Sequence, residues 1–163
     1  MPTTNTSSAS ATVHTYLGIS TDSGTTFKKL IDIKDFPSMG GAPEQIETTT
    51  LSNESSTFVN GVQSMDALEF LCNYTLVDYK RVKAFQDGQV YKFCIVFGKS
   101  VGTGGSSVYG ELGAFTWEGQ LSAWLEGGGV NGVREMRISI SATTEVEESS
   151  TVTFSEDLAT KGS

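Results

Sequence analysis

The chain has 163 residues, a hydrophobic content of 37 % and a formal net charge of −8 at pH 7. This length fits one domain with a core large enough to be stable alone. Its 18 glycines, together with many Ser and Thr residues, favour strands and turns over helices. The acidity argues against binding to a nucleic-acid backbone, because that binding depends on Lys and Arg releasing counterions.

Residues 1–14 are rich in Ser and Thr and poor in apolar side chains, so we expect a flexible N-terminal arm. The start lacks the basic and apolar regions of a signal peptide, and no apolar run approaches the roughly 18 residues that span a bilayer. We therefore expect synthesis in a cytoplasm. Cys72 and Cys94 are then expected to be reduced thiols that pack as small hydrophobes.

Residues 16–20 and 26–33 are strand-like and are separated by turn formers, which predicts a hairpin. The polar segment 36–61 follows, and loops longer than about 12 to 15 residues in compact domains usually bind something or are disordered. Apolar residues recur through this long loop, as in an arm that folds onto a neighbouring molecule. These anchors are Pro37, Met39, Pro43, Ile46, Leu51, Phe58 and Val59.

Residues 67–76 alternate between apolar and polar side chains, as in a strand with one buried face. That face comprises Leu68, Phe70, Cys72, Tyr74 and Leu76. From Asp78 the apolar period becomes three, which predicts one short amphipathic helix that Asp78 caps and Gly88 ends. Residues 90–97 are almost all apolar, and they predict a strand covered on both faces, for example by the helix.

The segment 98–113 is rich in glycine, and we expect a mobile loop there. Residues 115–125 and 133–141 predict a second hairpin, since the Asn131-Gly132 pair between them tolerates positive φ. Residues 143–163 are polar and predict an acidic C-terminal tail, so the domain proper spans 15–142. Its core is predicted to contain Phe70, Cys72, Tyr74, Phe93, Ile95, Met136 and Ile138.

The sequence offers little for catalysis. His14 is the only histidine and lies beside the N-terminal arm, so neither a His-based metal site nor a Ser-His-Asp triad is expected. The Gly98-Lys99-Ser100 triplet lacks the earlier glycine of a phosphate-binding loop, because Phe93 stands in its place. We therefore predict no enzyme activity, no catalytic, cofactor or metal site, and no cofactor.

Several stretches carry a resemblance to a known family. They are residues 36–61, Ala67 to Phe70, Asn73 to Thr75, Phe115 to Ser122 and Gly127 to Val146. In order and spacing, over about residues 15 to 146, they resemble the tail tube proteins of long-tailed phages, particularly those with non-contractile tails.

That resemblance implies a β-sandwich or barrel-like domain whose copies form hexameric rings stacked into a DNA-conducting tube of the virion. The implied partners are the protein itself, a tape-measure protein, tail terminator and distal tail proteins, and DNA that passes without specific binding; no membrane is involved. The two termini and the long loop would make ring-to-ring contacts. We expect Glu118, Glu126 and Glu135 to line the channel, with Arg137 pairing with Glu135, since carboxylates do not attract DNA phosphates.

Two alternatives to this interpretation stay open. A tube subunit of a contractile tail or injection machine shares the fold but also binds a sheath. A monomeric β-barrel that binds a small ligand in its core predicts a discrete species of 17.4 kDa and no polymer.

Overall fold

The computed structural model describes residues 14–22, 24–61, 66–102, 104–149 and 152–161, and these are mainly β. Residues 1–13 of the predicted N-terminal arm lie outside this part. The described strands are β1 (Thr15–Ser20), β2 (Thr26–Ile31), β3 (Ile33–Asp35), β4 (Gln45–Glu47), β5 (Phe58–Asn60), β6 (Leu68–Asn73), β7 (Tyr91–Val101), β8 (Ser107–Leu125), β9 (Glu135–Ala142), β10 (Glu147–Glu148) and β11 (Thr153–Leu158). Helix α1 (Leu76–Lys83) lies between β6 and β7.

Nine strands form one curled sheet in the order β11-β2-β1-β7-β8-β9-β6-β3, with β10 added to β8. Strands β2 and β3 are separated by a single residue, Asp32, yet β2 pairs with β1 and β3 pairs with β6. Because β1 and β6 lie towards opposite ends of the sheet, this bend brings the sheet round on itself. The predicted mainly β, barrel-like fold with one short helix is confirmed.

The main core fills the inside of the curled sheet. Of the predicted core residues, Phe70, Cys72, Phe93, Ile95, Met136 and Ile138 are fully buried. Tyr74 is half-buried, because β6 ends at Asn73 and its ring packs against Tyr79 at a centroid distance of 5.8 Å. Leu76 is exposed, since the helix begins there and turns its side chain out of the strand's alternation.

Helix α1 is capped by Thr75 and not by Asp78, so the predicted cap is corrected by one turn. Thr75 has an extended backbone, and its Oγ1 accepts a hydrogen bond from the Asp78 N–H at 3.2 Å and donates one to Asp78 Oδ2 at 2.8 Å. Asp78 therefore acts as the third helical residue of a reciprocal cap. Val82 and, just beyond the helix, Phe85 are buried against the main core.

Strand β7 is covered on both faces, as predicted. Phe93 and Ile95 face the main core, whereas Cys94 and Val96 belong to a second apolar cluster with Phe27, Ala114 and Phe154. The cover on this second side comes from β11, which carries Phe154, and not from the helix. Both cysteines are free and buried, as expected.

The predicted mobile loop is wrong, and the predicted acidic tail contains strands. The segment 98–113 is a β-hairpin, because β7 runs to Val101 and pairs with β8 as far as Ser107. Its Gly98 and Gly110 have φ of +92° and +84°, which non-glycine side chains rarely adopt. Within the predicted tail 143–163, β10 pairs with β8 and β11 adds a parallel strand to β2.

The hairpin between β8 and β9 is confirmed, and Asn131 in its turn has a φ of +66°. In the part of the chain that the structure describes, no helix is long and apolar enough to cross a membrane.

Candidate assembly surface

The segment after β3 is anchored on its own domain. The Phe36 ring lies 5.6 Å from the Phe97 ring, centroid to centroid, and both Phe36 and Met39 pack against the main core. These side chains line an apolar cleft of about 280 Å³ together with Pro37, Phe115 and Val146. The base of the long segment is therefore held in place before the chain leaves the domain.

Beyond this base the long loop is a hairpin, which we call the arm hairpin (β4, β5 and the turn between them). Ile46 lies opposite Val59 and Glu47 opposite Phe58. Next to these pairs, the Thr48 N–H donates to the Thr57 carbonyl at 2.8 Å. The two strands form a sheet of their own, and every residue in them is exposed. The arm hairpin is thus ordered by its own hydrogen bonds and projects from the domain.

The predicted stacking residues divide into two groups. Pro37, Met39 and Pro43 are half-buried, and Met39 serves the base of the segment. Exposure is 52 % for Ile46, 54 % for Phe58 and 50 % for Val59, and it is complete for Leu51 in the turn. The arm hairpin therefore presents apolar surface that its own fold does not bury.

Two of the three carboxylates predicted to line a channel are paired with cations. Glu126 accepts hydrogen bonds from Arg137 Nε at 2.8 Å and from Trp124 Nε1 at 3.2 Å, and the Arg137 hydrogen bond lowers the pKa of Glu126 below its usual value. Glu135 pairs with Lys34 at 2.7 Å. The expected Arg137–Glu135 pair is wrong, because Arg137 instead pairs with Glu126, just after β8, and with Glu69 of β6 at 3.4 Å.

Glu118 lies apart from the other two carboxylates. It is exposed and lies opposite Lys92 of β7, although no described cation forms a salt bridge with it. Its backbone N–H donates to Thr144 Oγ1 at 2.9 Å. Glu126 and Glu135, by contrast, are neighbours across β8 and β9, where the Glu126 N–H donates to the Glu135 carbonyl at 3.1 Å. The structure therefore brings two of the three together.

A mainly polar face runs along the outside of β6, β8 and β9. In β8, exposed residues alternate with buried ones from Glu118 to Trp124, and the register sets Ser122 opposite Ser139 and Ser139 opposite Glu69. We call this the polar sheet face: Glu69, Glu118, Gln120, Ser122, Glu135, Arg137, Ser139 and Ser141, with Trp124 opposite Arg137 as a partly exposed aromatic member. The strict alternation from 118 to 124 was the signal in the sequence that could have revealed it.

Among the described residues, no group of three or more His, Cys, Asp or Glu side chains is placed to hold a metal ion. No family model and no curated protein matches the chain.

The fold is similar to that of a chain in the cryo-EM structure of the anti-feeding prophage baseplate, 6-fold symmetrised. The TM-score is 0.60 at 8 % sequence identity, over 88 % of this chain and 97 % of that chain. A crystal structure of Hcp protein gives a TM-score of 0.43 at 12 % identity, over 83 % of this chain and 97 % of that chain. The likeness to the baseplate chain establishes a shared fold.

Proposed function

We propose that this protein is a structural subunit of a phage tail tube of the non-contractile type. In this proposal its copies form hexameric rings, and the stacked rings enclose a channel that conducts DNA to the host. The observation that carries the proposal is the arm hairpin, which is ordered yet leaves Ile46, Phe58 and Val59 about half exposed. An isolated two-stranded hairpin is marginally stable in water, so exposed apolar side chains on such an element favour a role in contact with another molecule.

Two further observations support assembly. The motifs that resemble tail tube proteins fall on the strands β6, β8 and β9 and on the arm hairpin. The shared fold with a chain of a baseplate described as 6-fold symmetrised agrees with a subunit that works in rings.

The polar sheet face is the surface that we propose to line the channel. Its exposed apolar surface is part of Trp124. Its three carboxylates, Glu69, Glu118 and Glu135, outnumber Arg137 and the Lys92 of β7 that lies opposite Glu118. Such a wall offers DNA phosphates little attraction, so DNA would pass without being held.

In this role the protein acts without catalysis and without a cofactor, as a component of the virion. Its partners would be further copies of itself, a tape-measure protein within the tube, and tail terminator and distal tail proteins at the tube ends. Genomic DNA would cross the lumen without specific binding.

A tube subunit of a contractile tail or injection machine is a second candidate, and the fold shared with a baseplate chain favours it. The two candidates differ in one partner, because a contractile system places a sheath around the tube. Binding of a sheath protein encoded beside this chain to preassembled tubes would select the second candidate.

Sedimentation velocity of the purified full chain at increasing concentration tests the proposal. Self-assembly predicts that fast-sedimenting polymers grow at the expense of the 17.4 kDa species above a threshold concentration. A ligand-binding monomer predicts the 17.4 kDa species at every concentration, and that result would contradict the proposal.

A further inference from the structure

A large cleft lies between the start of helix α1 and the turn that joins β8 to β9, and we call it the turn cleft. Its volume is about 1100 Å³. Leu76, Leu125 and Val133 contribute apolar surface to its wall and are 56 %, 55 % and 65 % exposed. No residue of the arm hairpin lines it. The domain thus has a concave apolar surface as well as a projecting apolar hairpin.

Arg134 is the one charged side chain of the cleft wall that has no salt bridge among the described residues. Glu126 pairs with Arg137, which also bridges Glu69, and Glu135 pairs with Lys34, whereas no described carboxylate forms a salt bridge with the exposed Arg134. The segment 36–61 has the opposite character, since it contains Glu44, Glu47 and Glu54 and neither Lys nor Arg. The two surfaces are therefore complementary in charge as well as in apolarity.

Three glycines in the turn have no steric role within the subunit. Gly127, Gly128 and Gly129 have φ outside the left-handed region, and a Cβ added to any of them would meet no heavy atom within 4 Å. Glycine loses more backbone entropy on folding than other residues, which destabilises the turn. No contact within the subunit explains why glycine is present there. A close approach by another chain would account for all three, because glycine lets two backbones come together.

The base of the arm hairpin and the turn cleft lie at separate places along β8. The base of the arm rests on Phe97 and Phe115, whereas the cleft contains Leu125, ten positions further along β8. Ten strand residues span about 33 Å. An arm and a receptor on different surfaces of the subunit can form a heterologous contact, which joins copies into rings or stacks.

We propose that the turn cleft receives the arm hairpin of a second copy of this chain. In the contact, the Ile46 and Val59 side chains pack against Leu76, Leu125 and Val133, and the hairpin carboxylates face Arg134. This inference rests on the proposed self-assembly, and it adds the receptor surface.

Disulfide trapping between two variants, each with one added cysteine, tests this pairing. Val59→Cys and Val133→Cys place thiols on exposed positions of the arm hairpin and the turn cleft, and the native Cys72 and Cys94 are fully buried. Tubes assembled from an equal mixture are oxidised and then separated on a denaturing gel. We expect a cross-linked dimer in the mixture, at a yield roughly tenfold above that of either variant alone, because docking raises the effective thiol concentration.

The matched control uses Val101→Cys in place of Val133→Cys. Val101 is 76 % exposed but lies at the end of β7, in the hairpin that joins β7 to β8. This control should give no dimer with Val59→Cys above background. Tubes that form normally yet show no specific link between positions 59 and 133 would overturn the docking proposal and leave the tube proposal standing. A chain that forms neither tubes nor links would overturn both.

A charge reversal provides a second readout that does not depend on thiol geometry. Arg134→Glu should raise the concentration needed for assembly about tenfold, because one charged contact is lost and a repulsion is gained. The melting temperature of the monomer should stay unchanged. Lys80→Glu makes the same change of charge on an exposed residue of helix α1 outside the cleft wall and should leave assembly near the wild-type threshold. Equal effects of the two variants would contradict the assigned contact.

Discussion

At the scale of single residues, Gly119 and Gly128 show how the same residue type serves two purposes. A Cβ on Gly119 would lie 2.6 Å from the Ser141 carbonyl oxygen, which belongs to the β9 backbone. Backbone cannot move aside as a flexible side chain can, so Gly119 is required by the fold. A Cβ on Gly128 would meet no atom within 4 Å, so the fold of one subunit does not require glycine there.

We therefore expect Gly119→Ala to lower the stability of the monomer by about 1 to 3 kcal/mol through overpacking. Gly128→Ala should leave that stability unchanged or slightly increased, because alanine restricts the unfolded chain, but it should raise the threshold for assembly. Chemical denaturation and light scattering measure the two effects. Equal stability losses for both variants would show that Gly128 already has a steric role within the monomer.

Ion pairing is the part of the residue scale that the sequence predicts poorly. Glu135 and Arg137 are two apart in one strand and share a face, so a pair between them was expected. In the structure Arg137 lies opposite Trp124, and its diagonal neighbour across the strands is Glu126. A choice between an in-strand and a cross-strand partner depends on register, which a single sequence does not specify.

At the scale of elements, one carboxylate adds side-chain contacts to the pairing of β11 with β2. Glu156 Oε2 accepts hydrogen bonds from Lys99 Nζ and from the Tyr109 hydroxyl, each at 2.6 Å. These contacts lower the pKa of Glu156 from 4.5 to about 2, with the Lys99 hydrogen bond as the main cause. The charged form therefore connects the C-terminal strand to the hairpin of β7 and β8.

A lowered pKa in the folded state contributes stability that is fully present above the unfolded value and is lost as the pH falls through the folded value. Glu156→Gln should thus lower the free energy of unfolding by about 1 kcal/mol near neutral pH, since the pair is partly exposed. The difference from wild type should shrink between about pH 4.5 and 2. Thermal melts across this pH range measure the difference in stability, and Glu118→Gln is the control for an unpaired carboxylate. A difference that does not depend on pH would contradict this role of Glu156.

The arm hairpin is expected to be dispensable for folding and necessary for assembly. Replacing residues 44–61 by a short Gly/Ser bridge removes exposed strands and keeps the buried base around Met39. Circular dichroism should still report a β-rich domain with a cooperative melt, and tubes should be absent. A gentler variant, Ile46→Thr with Phe58→Thr and Val59→Thr, keeps the hairpin and should also block assembly. Normal tubes from either protein would remove the arm hairpin from the contact.

Elements with clear periodicity were predictable from the sequence, and elements made by long-range pairing were not. The alternation in β6 and the apolar run in β7 predicted both strands and their buried faces. The glycines of segment 98–113 indicated a loop. In the structure Gly98 and Gly110 adopt positive φ and still lie within the strands of a hairpin. Strand β11 depends on β2, more than a hundred positions earlier in the chain, and on the pocket for Phe154 above Gly18, neither of which leaves a local pattern.

At the scale of the whole molecule, the channel proposal makes a prediction about DNA passage. Glu118→Lys together with Gln120→Lys adds cations to the polar sheet face, and every subunit of a ring repeats them. DNA carries one negative charge per about 1.7 Å of axis, so added lysines would bind it by releasing counterions. We expect intact tubes and slower DNA ejection, most clearly at low salt, because screening acts within about 8 Å at physiological ionic strength.

The control for ejection is Leu158→Lys. Leu158 lies on β11, an edge strand that β2, β1 and β7 separate from β8. This substitution adds a cation to an exposed position, 48 % accessible, outside the polar sheet face. Ejection kinetics that stay at the wild-type rate in the β8 variant would place the polar sheet face outside the channel.

The central claim is self-assembly into a tube, and electron microscopy of the purified full chain above its assembly threshold tests it most directly. The proposal predicts hollow tubes of uniform diameter whose end views average to six-fold symmetry. Discrete particles of the 17.4 kDa chain at every concentration, with neither rings nor tubes, would contradict it.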